Sequence, residues 1–194
     1  LALQQYGYQI TIITEHPFDI NRLNWFPQAK QLCFISLKDA ASQLYDLCLA
    51  TWWKTVFFLP QIQTRKSAYF VQSIESKFCQ PSERQLKEII DFTYQLPFYF
   101  LTEAHWIQRY LQEIHHQSAL LALNGIDKTV FKPSGETVDR SRPLGPRILV
   151  EGALGVFFKQ TEAAVDVANK SGCRDIWLLT PTKIDKFPGT TRTF

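Results

Sequence analysis

Residues 97–125 read PFYFLTEAHWIQRYLQEIHHQSALLALNG. Pro97 closes whatever precedes it, because its ring removes an amide donor and clashes inside a helix. The run 98–101 is aromatic and aliphatic, which predicts a strand. Over 103–115, Trp106, Ile107, Tyr110, Leu111 and Ile114 recur at helical spacing. The apolar run 119–123 predicts a second strand, closed by Asn124–Gly125, a pair that tolerates the backbone of a tight turn. A strand, a helix and a strand in under thirty residues is the unit from which parallel sheets are built.

The pattern extends in both directions. Residues 1–6 read as the end of a helix with Gly7 as its stop. The β-branched run 9–14 (QITIIT) and the apolar runs 32–37, 47–50 and 68–72 predict strands. A short helix is expected over 39–45, and a helical or irregular piece over 54–59. Ser82 followed by Gln85 reads as a capping box for a helix over 82–94, with Ile89, Ile90, Phe92 and Tyr94 as its apolar face. Residues 132–146 (KPSGETVDRSRPLGP) hold three prolines, two glycines and alternating charges, the composition of a linker. Beyond it, 147–151 predicts a strand, 161–169 a helix stopped by Gly172, and 175–179 another strand. The tail KFPGTTRTF shows no apolar periodicity and reads as a truncation or a misread end. Apolar strands buried on both faces and alternating with helices predict an α/β protein with open parallel sheets.

The 194 residues are 45% hydrophobic and 20% charged, which excludes disordered, collagen-like and disulfide-framework classes. The aromatic share, 14%, suggests large buried side chains. A net charge of +3 is too small for the basic stripe of a nucleic-acid binder, so no nucleic-acid partner is expected. It is compatible with one anionic ligand or with loose contact to an acidic membrane surface. The longest apolar run, 47–60, is interrupted by Lys54 and is too short to span a bilayer. Four scattered cysteines suit a reduced, cytoplasmic setting, with Cys33 and Cys48 expected as small buried hydrophobes. His115–His116 is the only histidine pair, and adjacent helical positions diverge by about 100°, so no metal site is expected.

No phosphate-cradling glycine loop, dinucleotide fingerprint, nucleophile elbow or zinc-protease helix is present. What the sequence offers is a set of strand ends: Thr51, Trp52 and Trp53 after one strand, residues 72–78 with Gln72 and Glu75 after the next, Thr102 and Glu103 after a third, and residues 124–127 after a fourth. In a parallel sheet these ends share one edge, which is where α/β folds bind ligands.

One group of segments is similar to a known family. ALLALNGIDKTVFKP resembles the segment I-P-N-G-[VI]-D-x-x-x-F-x-P that closes the N-terminal domain of GT-B glycosyltransferases of the large retaining family 4 group, with Leu123 in place of the proline. YGYQITIIT, YDLCLATWWKTVFFL, YFVQSIESKF, LTEAHWIQRYL and RILVEGALGVFFKQTEAAVDVANKSG resemble further segments of that family in order and spacing, with a rhamnosyltransferase-like subgroup nearest. The resemblance implies two Rossmann-like domains: an acceptor-side domain over 1–133 lacking its first strand, a linker over 134–146, and the start of a truncated nucleotide-sugar-binding domain over 147–194. It implies a glycosyltransferase fragment acting in cell-surface polysaccharide synthesis in the cytoplasm or at the inner membrane face. The donor is a nucleotide-diphosphate sugar, the acceptor a glycan or a lipid-linked glycan, and no cofactor is needed.

Lys159 aligns with the family's diphosphate-binding lysine and precedes a helix N-terminus, where charge and helix dipole both attract phosphate. Gln160 replaces the family's glycine, and no arginine stands in the preceding motif, where Gly152 is followed by Ala153. Trp52, Gln72, Glu75 and Glu103 fall on the acceptor side, with the tryptophan pair expected to stack on a sugar or to pack. No residue is singled out as catalytic. Glu162 is expected to point outward without a role, and the fragment alone is expected not to transfer sugar. The reading from another class is a non-catalytic α/β domain that binds a sugar or a nucleotide.

Overall fold

The structure, a computed structural model, describes residues 2–129, 131–134 and 145–194. Most of the linker expected over 134–146 lies outside the described residues. The chain divides into two compact units, Leu1–Asn124 and Gly125–Phe194.

The first unit opens with helix α1 (Ala2–Gln5), stopped by Gly7 at φ 84°. Strands β1 (Thr11–Thr14) and β2 (Cys33–Ser36) pair in parallel. Helix α2 spans Leu37–Ala40, earlier than the helix expected over 39–45. Ser36 sets its start, because its hydroxyl accepts from the Asp39 amide and caps the first turn. Two short strands that the sequence did not signal follow, β3 (Leu44–Tyr45) and, after β4 (Cys48–Ala50) and helix α3 (Trp53–Val56), β5 (Gln63–Thr64). β3 and β5 pair only with each other, and two residues carry no periodicity to read. The rest of the unit is β6 (Ser67–Val71), α4 (Arg84–Thr93), β7 (Tyr99–Thr102), α5 (His105–His115) and β8 (Ala119–Leu121).

Four of these strands form one parallel sheet in the order β4-β6-β7-β8, which is also their order in the chain. That order decides which face is covered. Crossovers between parallel strands are right-handed, so a sheet that advances in one direction receives all its helices on one side. On that side Ala50, Tyr69, Phe100 and Ala119 lie in register and pack with Ile90 of α4, with Tyr94, which caps it, and with Ile107 and Leu111 of α5. On the other side Leu49, Tyr99 and Leu120 are exposed. The expectation of strands buried on both faces is therefore corrected for β4, β7 and β8; on the central strand β6, Ala68 is buried on this face as well.

The helices are corrected in the same sense. Positions three and four apart share the inward face. Ile90 and Tyr94 are buried while Ile89 and Phe92 are half-exposed, and Ile107 and Leu111 are buried while Trp106 and Ile114 are not. The high aromatic content is thus only partly core. Ser82 does not cap α4: the helix starts at Arg84, and the Glu83 carboxylate instead accepts from the Gln80 amide at 2.7 Å. Cys48 is buried as expected. Cys33 is exposed because it sits at the first position of β2, and the four cysteines are unpaired.

The second unit contains β9 (Arg147–Glu151), α6 (Thr161–Lys170), β10 (Asp175–Leu179) and β11 (Arg192–Thr193), in a parallel sheet of order β11-β10-β9. Val150, Ile176 and Leu178 pack against Val165 and Ala168 of α6. The tail, which has no apolar pattern, nonetheless adds a strand to this sheet. Thr191 exchanges hydrogen bonds with the backbone of Ile176, and Phe194 pairs its amide with Leu178. Threonine hydroxyls and ladder bonds hold this strand, and neither produces an apolar pattern. The chain is α/β, and every strand pair among the described residues is parallel. No helix among them is long and apolar enough to cross a membrane.

Candidate functional site

In the first unit the parallel order brings the C-terminal ends of β4, β6, β7 and β8 to one edge. Trp52 follows β4, Gln72 and Glu75 follow β6, Glu103 follows β7 and Asn124 follows β8. These are the strand ends that the sequence singled out.

Glu75 is the best-held of them. It begins a 3-10 turn, Glu75–Phe78. Its Oε2 accepts two hydrogen bonds, from the Tyr69 hydroxyl at 2.6 Å and from the Trp53 backbone amide at 3.0 Å. Its own amide donates to the Tyr94 hydroxyl at 2.9 Å. Tyr69 and Tyr94 are fully buried and their rings stack with centroids 6.0 Å apart. The carboxylate is thereby held by β6 and by the start of α3, and the Glu75 backbone by Tyr94, while Oε1 accepts no hydrogen bond among the described residues.

Burial pushes the Glu75 carboxyl above its ordinary range, and the bonds from Tyr69 and the Trp53 amide pull it back. Both tyrosines are driven well above the ordinary phenol range, Tyr69 and Tyr94 alike chiefly by burial. Both therefore keep their protons, and Tyr69 is a constant donor to Glu75.

The neighbouring side chains are arranged around this carboxylate. The Trp52 amide donates to Thr55 Oγ1 at 3.2 Å, and that hydroxyl donates to the Trp52 carbonyl at 2.7 Å, which closes the first turn of α3. The Trp52 ring is 43% exposed, whereas Trp53 packs against the core. The two rings meet edge-on at 5.9 Å, and the Lys54 ammonium lies 4.9 Å from the Trp52 centroid. Gln72 Nε2 donates to the Thr51 carbonyl at 3.0 Å, tying the β6 end to the β4 end. Glu103 accepts from Asn124 Nδ2 at 2.8 Å, tying β7 to β8. Ser76 Oγ and Thr102 Oγ1 are buried on the same strand ends with no partner among the described residues.

The tyrosines went unrecognised in the sequence because each occupies a core position of a strand or helix. The usable signal was chemical: a buried tyrosine hydroxyl needs a partner, and two of them flank one acidic residue on the next strand end.

Lys159 belongs to the second unit. It ends a 3-10 turn, Phe157–Lys159, at the C-terminal end of β9 and is exposed, paired with no acidic side chain among the described residues. Gln160 follows at φ 53°, a left-handed conformation, so the chain turns sharply into α6. The expectation that Glu162 points outward without a role is corrected. Its Oε1 accepts from the Gly155 amide at 2.6 Å, so it ties the β9–α6 loop to the first turn of α6. That amide and Glu162's own amide hold the carboxyl below its ordinary range. Thr161 Oγ1 donates to the Ala153 carbonyl at 2.9 Å and closes the same loop.

No group of three or more metal-ligating side chains is gathered among the described residues. His115 and His116 do not converge: the His115 ring lies between Tyr94 and Tyr110, and His116 ends α5 in a left-handed conformation. No known protein family matches this chain. No curated protein matches it either.

Proposed function

We propose that this chain is the acceptor-side domain and the beginning of the donor-side domain of a GT-B glycosyltransferase, with two Rossmann-like units. The whole enzyme moves a sugar from a nucleotide diphosphate to a glycan or lipid-linked hydroxyl at the cytoplasmic face of a membrane, and this chain alone does not. The observation that carries this reading is the Glu75 carboxylate. It is held on one oxygen by Tyr69 and Trp53 and left open on the other, on an edge that also carries Trp52, Gln72 and Glu103.

The chemistry is substitution at an anomeric carbon. The bond from carbon to the diphosphate oxygen breaks as the acceptor hydroxyl adds. Glu75 Oε1 accepts the hydrogen of that hydroxyl and orients its lone pair. Gln72 and Glu103 bind neighbouring hydroxyls, and the exposed Trp52 ring offers its face to a sugar. Lys159 neutralises the leaving diphosphate. A contact of this kind contributes about 2.7–4 kcal/mol where charge develops in the transition state.

A second reading rests on Glu162. Its carboxylate already occupies the first turn of α6, the place a diphosphate would take, and Gln160 stands where the family has glycine. This favours a non-catalytic α/β domain that binds sugar without turning over a nucleotide.

Calorimetric titration of the chain with uridine, guanosine and thymidine diphosphates separates the two. The glycosyltransferase reading expects one of them to bind, with a loss of tenfold or more in the Lys159→Ala variant. Absence of binding by all three, or equal binding by the variant, supports the second reading.

A further inference from the structure

β8 is the outer strand of its sheet and pairs only with β7 among the described residues, so its other edge is open. Ile107 and Leu111 set the inward face of α5. His105, Gln108, Arg109 and Gln112, at i, i+3, i+4 and i+7, fall on a separate stripe of the same helix. The turn from α5 into β8 is tight. His116 is left-handed at φ 56°, and the Gln117 amide donates to the Leu111 carbonyl at 3.0 Å. The chain returns along the stripe, and Ser118 and Ala119 join its four residues in lining an open cavity of about 450 Å³. Gln108 fixes the floor. Its Nε2 donates to the Ala119 carbonyl at 2.8 Å, and its Oε1 accepts nothing among the described residues. Arg109 is exposed and makes no ion pair among the described residues. Among those residues no acidic side chain lines the cavity, and the His105 imidazole is its one ring.

We infer that this cavity binds a phosphorylated monosaccharide, with Arg109 and His105 on the phosphate and Gln112, Ser118 and Gln108 Oε1 on the sugar hydroxyls. A guanidinium meets phosphate oxygens two at a time in its own plane. Arg109 and His105 stand one helical turn apart, so both reach one phosphate. Size and lining narrow the ligand further. The cavity lies within the ordinary range of small-molecule sites, about 300–1,000 Å³, and is larger than a bare phosphate fills. A nucleotide base takes a broad apolar or aromatic wall, and here the apolar part is the Ala119 methyl alone. Amide and hydroxyl groups suit a sugar, whose hydroxyls both donate and accept. The site uses none of Trp52, Glu75, Glu103 or Lys159, so it does not depend on the glycosyltransferase reading.

The test is titration of the nitrogen-labelled chain with glucose 1-phosphate, glucose 6-phosphate, inorganic phosphate and glucose, followed by amide correlation spectra. One of the two sugar phosphates should shift the amides of residues 105–112 and 118–119 and saturate at millimolar concentration or below. Inorganic phosphate should shift the same amides with weaker affinity, and glucose should leave them unmoved. Arg109→Gln should weaken the sugar phosphate by about tenfold or more, through the loss of a charge-assisted contact. Gln112→Ala with Ser118→Ala should weaken the sugar phosphate and leave inorganic phosphate unchanged. Lys159→Ala, in the second unit, should bind as the parent does. Because Arg109, Gln112 and Ser118 are exposed, circular dichroism and the urea midpoint of these variants should match the parent. The inference is overturned if neither sugar phosphate moves these amides, or if inorganic phosphate binds as tightly as the sugar phosphate. It is also overturned if Arg109→Gln binds as the parent does, or if Lys159→Ala abolishes binding.

Discussion

Replacing Glu75 with alanine removes the shared acceptor of two donors. Tyr69 is fully buried, and its bond to Glu75 and that of the Trp53 amide are partly buried. An unmade buried donor costs about 1–3 kcal/mol, so Glu75→Ala should destabilise the first unit by about 2–4 kcal/mol. Glu75→Gln keeps a carbonyl oxygen where Oε2 stood and can accept from both, so at neutral pH it should stay within about 0.5 kcal/mol of the parent. The pH dependence separates the two forms further. Burial raises the folded-state value of this carboxyl. The folded chain therefore binds a proton more tightly than the unfolded chain does. The stability this contributes is complete below the unfolded value and is lost as pH rises through the folded one. Glu75→Gln lacks that slope, so its stability relative to the parent should improve from pH 4 to pH 8. Urea unfolding followed by tryptophan fluorescence at both pH values measures this. The reasoning fails if Glu75→Ala lies within about 0.5 kcal/mol of the parent, or if glutamine is as damaging as alanine.

Other substitutions probe single features. Ala104 precedes α5 in an extended conformation with no side-chain cap, so Ala104→Ser should stabilise by about 1 kcal/mol, read from the urea midpoint. Thr102→Val removes a buried hydroxyl that has no partner and keeps its shape; stability should rise by about 1 kcal/mol, again by urea unfolding. Gly152→Ala places a methyl against Thr161 Oγ1 at a positive φ. It should lower the thermal midpoint of the second unit's transition and loosen amide protection over residues 152–161. His115 is held below its ordinary value chiefly by burial, so the folded chain binds fewer protons there than the unfolded one. Stability should fall as pH drops below about 6.5, and His115→Gln should flatten that part of a stability-against-pH curve.

The sequence made the sheet legible wherever a strand was four or five residues long and apolar, as at 147–151 and 175–179, both found as expected. It was silent at β3, β5 and β11, which are two residues long and held by backbone bonds or threonine hydroxyls. Which face of the sheet is covered was not legible. That follows from strand order, and an exposed Leu120 reads like a buried one. For the site, the shared edge was legible because parallel strands place their ends together. The partners of Glu75 were not, since Tyr69, six residues earlier, and Tyr94, nineteen residues later, meet it only through the fold. Glu162 was misread because helical periodicity places it outward, and periodicity cannot register a loop that folds over the helix start.

The most direct test of the account is an amide and indole correlation spectrum of the labelled chain, titrated with uridine, guanosine and thymidine diphosphate sugars. One donor should shift the amides of residues 155–162 around Lys159, and the Lys159→Ala variant should lose those shifts. Shifts confined to the Trp52 and Glu75 edge, or no shifts with any donor, would contradict a nucleotide-sugar-dependent transferase.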